Sequence, residues 1–149
     1  MTDLDAYLRR IGYTGPRTPT VAVLHAVHRH HALAIPFENL AALRGAKVDY
    51  TLPALLAKLV HGGRGGYCFE QGHLLLHVLR ELGFQAVPLI ARVRPAGVTV
   101  TLGLTHMLLR IECAGRTLQC RPGPGRQQIA VLLLTLLDVL VTRLLLRSF

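Results

Sequence analysis

The spacing of apolar residues changes once along the chain, and this change limits the folds that the chain can adopt. Up to about residue 83, apolar side chains recur every three or four positions, as on one face of a helix. Together with capping and helix-breaking residues, this spacing predicts helices over residues 3–11, 18–33, 51–59 and 69–82. Asp3 and Thr18 are the expected N-caps of the first two, and Gly83 is expected to end the last.

Strands are predicted after residue 83, because the chain there is apolar and partly β-branched or alternates apolar with polar residues. They cover residues 84–94, 105–112 and 116–119, with a turn at Ala114-Gly115. Helices followed by strands indicate an α+β fold rather than alternating βαβ units. The predicted domains are a helical bundle over residues 1–83, a β domain over 84–119 and an apolar tail over 120–149.

Charge and cysteine content argue against several classes of protein. The net charge is +9, but the 17 basic residues are scattered and form no stripe interleaved with aromatics. No nucleic-acid partner is therefore predicted. The three cysteines are an odd number, and the first residues do not resemble a secretory signal. A cytoplasmic location without a disulfide framework is the expectation.

The tail contains an apolar run, residues 129–146, that approaches the length of a membrane span. Asp138 and Arg143 interrupt it, and a charge near the centre of a span costs about 2.5–3.5 kcal/mol on insertion scales. A transmembrane helix is therefore not predicted. A membrane-associated or protein-binding module that uses this tail stays open as an alternative function.

Cys68 is the candidate nucleophile. It follows Arg64-Gly65-Gly66-Tyr67 at a predicted chain reversal and directly precedes a predicted helix. The positive end of the helix dipole and the free backbone N–H groups there favour the thiolate, which is the reactive form. The alternative that Cys68 is a small buried hydrophobic residue stays open.

His106 is the candidate base for Cys68, at the start of a predicted strand. Such a pair normally needs a third group, typically Asp or Asn, that orients the imidazole, and a neighbouring strand is the natural place for it. A lone histidine in an apolar strand is usually structural, and that alternative is open. A cysteine peptidase would share the same Cys-His pair.

Other polar residues receive structural interpretations. Glu38 lies in an apolar stretch, and it is either a partner of Arg64 or a solvated loop residue. His28, His30 and His31 cluster at the end of the second predicted helix, where positive charge suits the dipole, and a place for His31 on the apolar face of that helix is the open alternative. No metal is predicted, because no Cys-x-x-Cys or His-Glu-x-x-His motif accompanies the histidines.

Six stretches, taken together, resemble the arylamine N-acetyltransferases. They occur in the family's order, with family-like spacing, over residues 1 to about 118. The stretches are residues 6–12, 35–40, 64–71, 82–84, 91–94 and 105–109. The two specific ones are Arg-Gly-Gly-Tyr-Cys, at 64–68, and Ile-Pro-Phe-Glu-Asn, at 35–39.

The resemblance implies a Cys-His-Asp triad that transfers acetyl from acetyl-CoA, its donor substrate, to an arylamine, hydrazine or arylhydroxylamine. The implied fold is a helical bundle, a β-barrel with a cysteine-protease-like core, and an α/β lid. The residues it assigns are Cys68 as nucleophile, His106 as base, Arg64 and Glu38 as structural partners near the site, and Phe37 and Val93 in the acceptor pocket.

Two departures from the family pattern stand out. Gly72 and His73 follow Glu70-Gln71, where the family usually has Asn. The triad aspartate belongs in a Val-Asp-Val-Gly-Phe-Gly-Gly stretch some fifteen residues after the histidine, and this chain has Arg121 there. The lid is also missing. We therefore expect only a partial barrel and a truncated, impaired enzyme.

A frameshift accounts for the second departure. Read one nucleotide out of frame, the codons permitted by residues 119–127 can spell Asn/Ser-Val-Asp-x-Gly-x-Gly-Gly, with the aspartate across the codon of Arg121. The hypothesis is a shift near residues 117–119 that replaced the native ending. The acceptor and the oligomeric state are not fixed by the sequence.

Overall fold

Helices and strands follow one another in the order that the apolar spacing predicts. The computed structural model describes residues 2–92, 103–121 and 130–131. The helices described there are α1 Asp3–Arg10, α2 Val21–Ala34, α3 Leu40–Leu43, α4 Leu52–Leu55 and α5 Cys68–Glu81. A π-helical segment, Leu56–His61, continues α4 without a break. The helix α3 was not predicted.

Threonines set the starts of the first two helices. The Thr2 hydroxyl accepts the Asp5 N–H while the Asp5 carboxylate accepts the Thr2 N–H, so α1 begins with a capping box. The Thr20 hydroxyl accepts an N–H from the first turn of α2. The predicted caps Asp3 and Thr18 were therefore wrong, because a threonine close by satisfies the first-turn N–H groups in each case.

An antiparallel sheet follows the helices. Its strands are β1 Gln85–Ala91, β2 His106–Cys113, β3 Arg116–Cys120 and the two-residue β4 Ala130–Val131, in the spatial order β1-β2-β3-β4. Ala114 and Gly115 both have positive φ, 50° and 70°, as the central residues of a tight hairpin turn do. The predicted turn is confirmed, and so is the α+β class.

The expected partial barrel is, in the described residues, an open sheet. The strands β1 and β4 are its two edges, and closure would need more strands than residues 85–131 contribute to this sheet. The predicted apolar tail and the hypothesis of a frameshifted ending concern mainly residues 122–129 and 132–149, which lie outside the described residues. The domain boundaries near residues 83 and 119 stay predictions.

The helix α5 lies between the other helices and the sheet, and both of its sides are buried. A Cβ atom on Gly72 would lie 2.6 Å from Met107 Sδ in β2, so the missing side chain allows close packing of α5 on β2. This packing brings the start of α5 to the start of β2. No helix among the described residues is long and apolar enough to cross a bilayer.

Candidate active site

Cys68 is the first residue of α5, so its position combines a helix start with a tightly packed loop. Its side chain is buried, with 8% of the residue exposed. The thiol donates a hydrogen bond to the Thr105 carbonyl, with a sulfur–oxygen distance of 3.6 Å. Because Thr105 directly precedes His106, the structure brings the candidate nucleophile to the start of the strand that carries the candidate base.

The two glycines before Cys68 are needed for close approach rather than for positive φ. A Cβ on Gly65 would lie 2.4 Å from the Pro36 carbonyl oxygen, and one on Gly66 would lie 2.8 Å from Leu59. The Gly66 N–H donates to the Pro36 carbonyl and the Glu38 N–H donates to the Gly66 carbonyl, each at 3.1 Å. The loop is therefore pinned against residues 36–38, which are also part of the motif.

Glu38 and Arg64 form an ion pair across these two segments. Glu38 also accepts the Gly65 N–H at 3.2 Å. The bond from Arg64 is the main reason that the pKa of Glu38 lies below its usual range. The side chain of Arg64 is 56% exposed, so the pair is partly solvated and its main effect is to orient the loop.

Glu70 is a second carboxylate at the site, and the sequence interpretation missed its role. Its side chain is only 4% exposed and accepts from Lys58 Nζ at 2.7 Å and from the Tyr67 N–H at 3.1 Å. It thereby fixes the residue before Cys68. The available signal was its position three residues after Tyr67, where a glutamate commonly satisfies the N-cap N–H.

His106 accepts a hydrogen bond from a cation. Arg121 Nε donates to His106 Nε2 across 3.1 Å. A neutral ring that accepts at Nε2 carries its proton on Nδ1. Partial burial and, secondly, the charge of Arg121 lower the pKa of His106. The ring is therefore held in its neutral form.

Arg121 occupies the place expected for the third group of the site. It follows β3, the neighbour of β2, and His28 Nε2 in α2 donates to its carbonyl oxygen at 2.9 Å. In the described part of the chain, no carboxylate is hydrogen-bonded to His106. Arg121 fixes the imidazole as an orienting group would, but its charge opposes formation of an imidazolium.

Of the two candidate acceptor-pocket residues, the structure describes one. Phe37 is 51% exposed and available to contact a ligand, whereas Val93 lies outside the described residues. A cluster of four rings, which the sequence did not predict, includes both sequence neighbours of Cys68. The centroids of its contacting rings lie 5.4–6.3 Å apart. Its members are Tyr50, Tyr67, Phe69 and His73.

His28 and His31 do not have the predicted role at the helix dipole, whereas the alternative place of His31 on the apolar face of α2 is confirmed by its burial. Burial lowers the pKa of His28 and lowers that of His31 to about 3, so both rings are neutral at pH 7. They face the core rather than the end of the helix. No group of three potential metal ligands occurs among the described residues, and the absence of a metal stays a prediction.

Comparisons with known proteins all identify N-acetyltransferases as the similar proteins. A family model described as N-acetyltransferase matches residues 20–135, a range that includes position 121. The arylamine N-acetyltransferase of Mycolicibacterium smegmatis is 50% identical over 92 residues, which are 61% of this chain and 34% of that protein. The chain thus spans about a third of the length of this relative.

Solved structures agree over a longer stretch. The arylamine N-acetyltransferase from M. tuberculosis matches with a TM-score of 0.81 and 38% identity, covering 89% of this chain and 51% of that one. The Mycobacterium marinum arylamine N-acetyltransferase in complex with CoA matches with a TM-score of 0.72 and 39% identity, covering 78% and 45%.

Replacing Arg121 by glutamine is expected to raise the pKa of His106. The substitution removes the positive charge that repels the imidazolium, while the contribution of burial remains, so the pKa should stay below the usual value of about 6.5. NMR titration of the histidine rings measures this. The pKa of His73, lowered by burial and by His77, should not change and serves as the internal control. An unchanged pKa of His106 would contradict the assigned contact.

Proposed function

The chain belongs to the arylamine N-acetyltransferase family, and on that premise we propose that Cys68 carries an acetyl group from acetyl-CoA to an arylamine or hydrazine. The observation that carries the proposal is the hydrogen bond from the Cys68 thiol to the Thr105 carbonyl, directly before His106. In this scheme the proposed helical domain, residues 1–83, supplies the nucleophile, and the proposed β domain, residues 84–119, supplies the base. This is the arrangement of a cysteine-protease-like core.

The first half-reaction makes a thioester. His106 takes the thiol proton once Arg121 releases the Nε2 lone pair, which is the one site on the neutral ring that can accept it, and the Cys68 thiolate attacks the acetyl carbonyl carbon. The new carbon–sulfur bond to Cys68 forms as the bond to the sulfur of CoA breaks. The CoA thiolate leaves and takes the proton back from His106. Cys68 lies at the N-terminal end of α5, where the helix dipole interacts favourably with the negative charge that sulfur carries during the attack.

The second half-reaction transfers the acetyl group to the acceptor. The amine nitrogen attacks the thioester carbon, the amide bond forms and Cys68 leaves as a thiolate. The proton lost by the amine returns through His106 to Cys68. We propose that Phe37 and Val93 line the acceptor pocket, and that Arg64 and Glu38 hold the loop in place. We further propose a cytoplasmic enzyme that uses no metal.

Arg121 impairs this chemistry in the chain as it stands. A triad aspartate would accept a bond from the imidazole and stabilise its cation, whereas Arg121 donates to Nε2 and repels that cation. In a serine triad, replacing the aspartate lowers kcat by about 10⁴. We infer that base catalysis by His106 is weak here. The alternative functions, a tail-based membrane or protein-binding module and a peptidase, are not favoured by the comparisons.

We propose a frameshift as the origin of Arg121. The prediction is that the gene, read one nucleotide out of frame across codons 115–128, encodes Val-Asp followed by a Gly-x-Gly-Gly motif and remains open beyond it. Nucleotide sequencing of this region checks it. A displaced frame that lacks the motif, or that stops within it, would refute the frameshift and leave Arg121 as an encoded substitution.

Incubation with acetyl-CoA is expected to place one acetyl group on Cys68, slowly. Intact mass measurement followed by peptide mapping detects it. The Cys68→Ala variant should take up none. The Cys113→Ala variant should label like the parent chain, because that thiol lies at the opposite end of β2 from His106 and donates to the Pro19 carbonyl. Labelling that persists in Cys68→Ala, or a complete absence of labelling in the parent chain, would contradict the proposed step.

A further inference from the structure

Buried polar side chains connect α1, α2 and α5 beneath the loop that carries Cys68. Tyr7 Oη and His31 Nδ1 lie 2.8 Å apart, and both residues are fully buried. Gln71 is also fully buried, and its amide nitrogen donates to the Gly66 carbonyl at 2.6 Å and to the Pro36 carbonyl at 3.1 Å. Gln71 therefore bridges the two segments that meet at the Cys68 loop.

Within the described residues, two polar atoms of these side chains lack hydrogen-bond partners. His31 Nε2 and Gln71 Oε1 are buried, and neither has a hydrogen-bond partner in the described structure. An unpaired polar atom in the core is destabilising, and native proteins rarely leave one. Gln71 favours the protonated form of the His31 ring, as an acceptor facing Nε2 would. The two atoms are thus a potential pair on neighbouring side chains.

The tautomer of His31 decides whether His31 Nε2 can donate a hydrogen bond to Gln71 Oε1. Burial keeps the Tyr7 hydroxyl protonated by raising its pKa, and keeps the His31 ring neutral. When Tyr7 donates to Nδ1, the ring proton lies on Nε2, which becomes a donor opposite the acceptor Gln71 Oε1. The other tautomer would leave the Tyr7 proton, the Nε2 lone pair and Gln71 Oε1 all unpaired.

We propose that Tyr7, His31 and Gln71 form a directed relay, from Tyr7 Oη–H to His31 Nδ1 and from His31 Nε2–H to Gln71 Oε1, that positions the Cys68 loop. The His31 N–H distinguishes the two ends of the Gln71 amide, so that the amide nitrogen faces the Gly66 and Pro36 carbonyls. A flipped amide would place its oxygen against the two carbonyl oxygens, where no hydrogen bond can form. His31 is in this sense a positioning residue for Cys68.

The role of the relay in acyl transfer rests on the proposed function, but the relay itself does not. It acts on the loop through Gly66, two residues before Cys68, and its three side chains do not touch the candidate base. Its effect is therefore measurable through the accessibility and reactivity of the thiol, without acetyl-CoA.

The first test observes the tautomer in the unmodified chain. A long-range ¹H–¹⁵N spectrum of the chain with labelled histidine should show His31 neutral at pH 7 with its proton on Nε2. Assignment uses the loss of that signal in His31→Gln. A proton on Nδ1, or a His31 ring that titrates near the usual histidine pKa, would overturn the relay.

The second test compares two tyrosines. Tyr7→Phe removes the first donor of the relay, whereas Tyr13→Phe removes another buried hydroxyl, which donates to the Pro16 carbonyl at 2.7 Å outside the relay. Iodoacetamide alkylation of Cys68, mapped by mass spectrometry, should be about threefold faster or more in Tyr7→Phe, because a misplaced loop exposes the thiol. Tyr13→Phe should leave the rate unchanged.

An alkylation rate in Tyr7→Phe that does not exceed the rate in Tyr13→Phe would overturn the positioning role. The two tests also separate the relay from the proposed function. If Cys68 takes no acetyl group while the tautomer and the alkylation rates behave as expected, the function fails and the relay stands. If Cys68 is acetylated but the tautomer is reversed, the relay fails and the function stands.

Discussion

The close packing of α5 on β2 is the contact on which the site depends. Gly72 leaves room for Met107, and this allows the first turn of α5 to approach the start of β2. The thiol of Cys68 then reaches the Thr105 carbonyl, next to His106. A side chain at position 72 would require the Met107 side chain to move, and the proposed nucleophile and base lie on opposite sides of that contact. The packing of α5 on β2 thus sets the distance between the two proposed groups.

Around this contact, the loop before Cys68 is held from three directions. Glu38 and Arg64 hold it at the surface, Glu70 holds it from within α5, and Gln71 holds it from the core. All three supports are charged or polar groups whose partners are backbone atoms or oppositely charged side chains. This arrangement fixes the position of a thiol more firmly than apolar packing alone, because hydrogen bonds are directional.

Sequence reasoning predicted the longer helices and the first three strands and proposed Cys68 and His106, but it did not predict the contacts between distant side chains. Helical and strand spacing are local signals, and so is a cysteine before a helix. The hydrogen bond between His31 and Tyr7 depends on how α1 packs on α2, which local spacing does not encode. The approach of Arg121 to His106 depends on the register of β3 against β2, in which Leu109 pairs with Cys120. Position 121 was identified by its distance from His106 in the chain, while the direction of its hydrogen bond required the structure.

We infer that Arg121 stands where a carboxylate would activate His106, and that the loop around Cys68 is otherwise held in place. Comparing the rate of Cys68 acetylation by acetyl-CoA in Arg121→Asp and Arg121→Ala tests it most directly, because the alanine variant separates loss of the positive charge from gain of the carboxylate. Acetylation of Arg121→Asp should be faster than that of Arg121→Ala by about tenfold or more, in keeping with the large effect of the third group in such triads. An Arg121→Asp rate no higher than that of Arg121→Ala would contradict it.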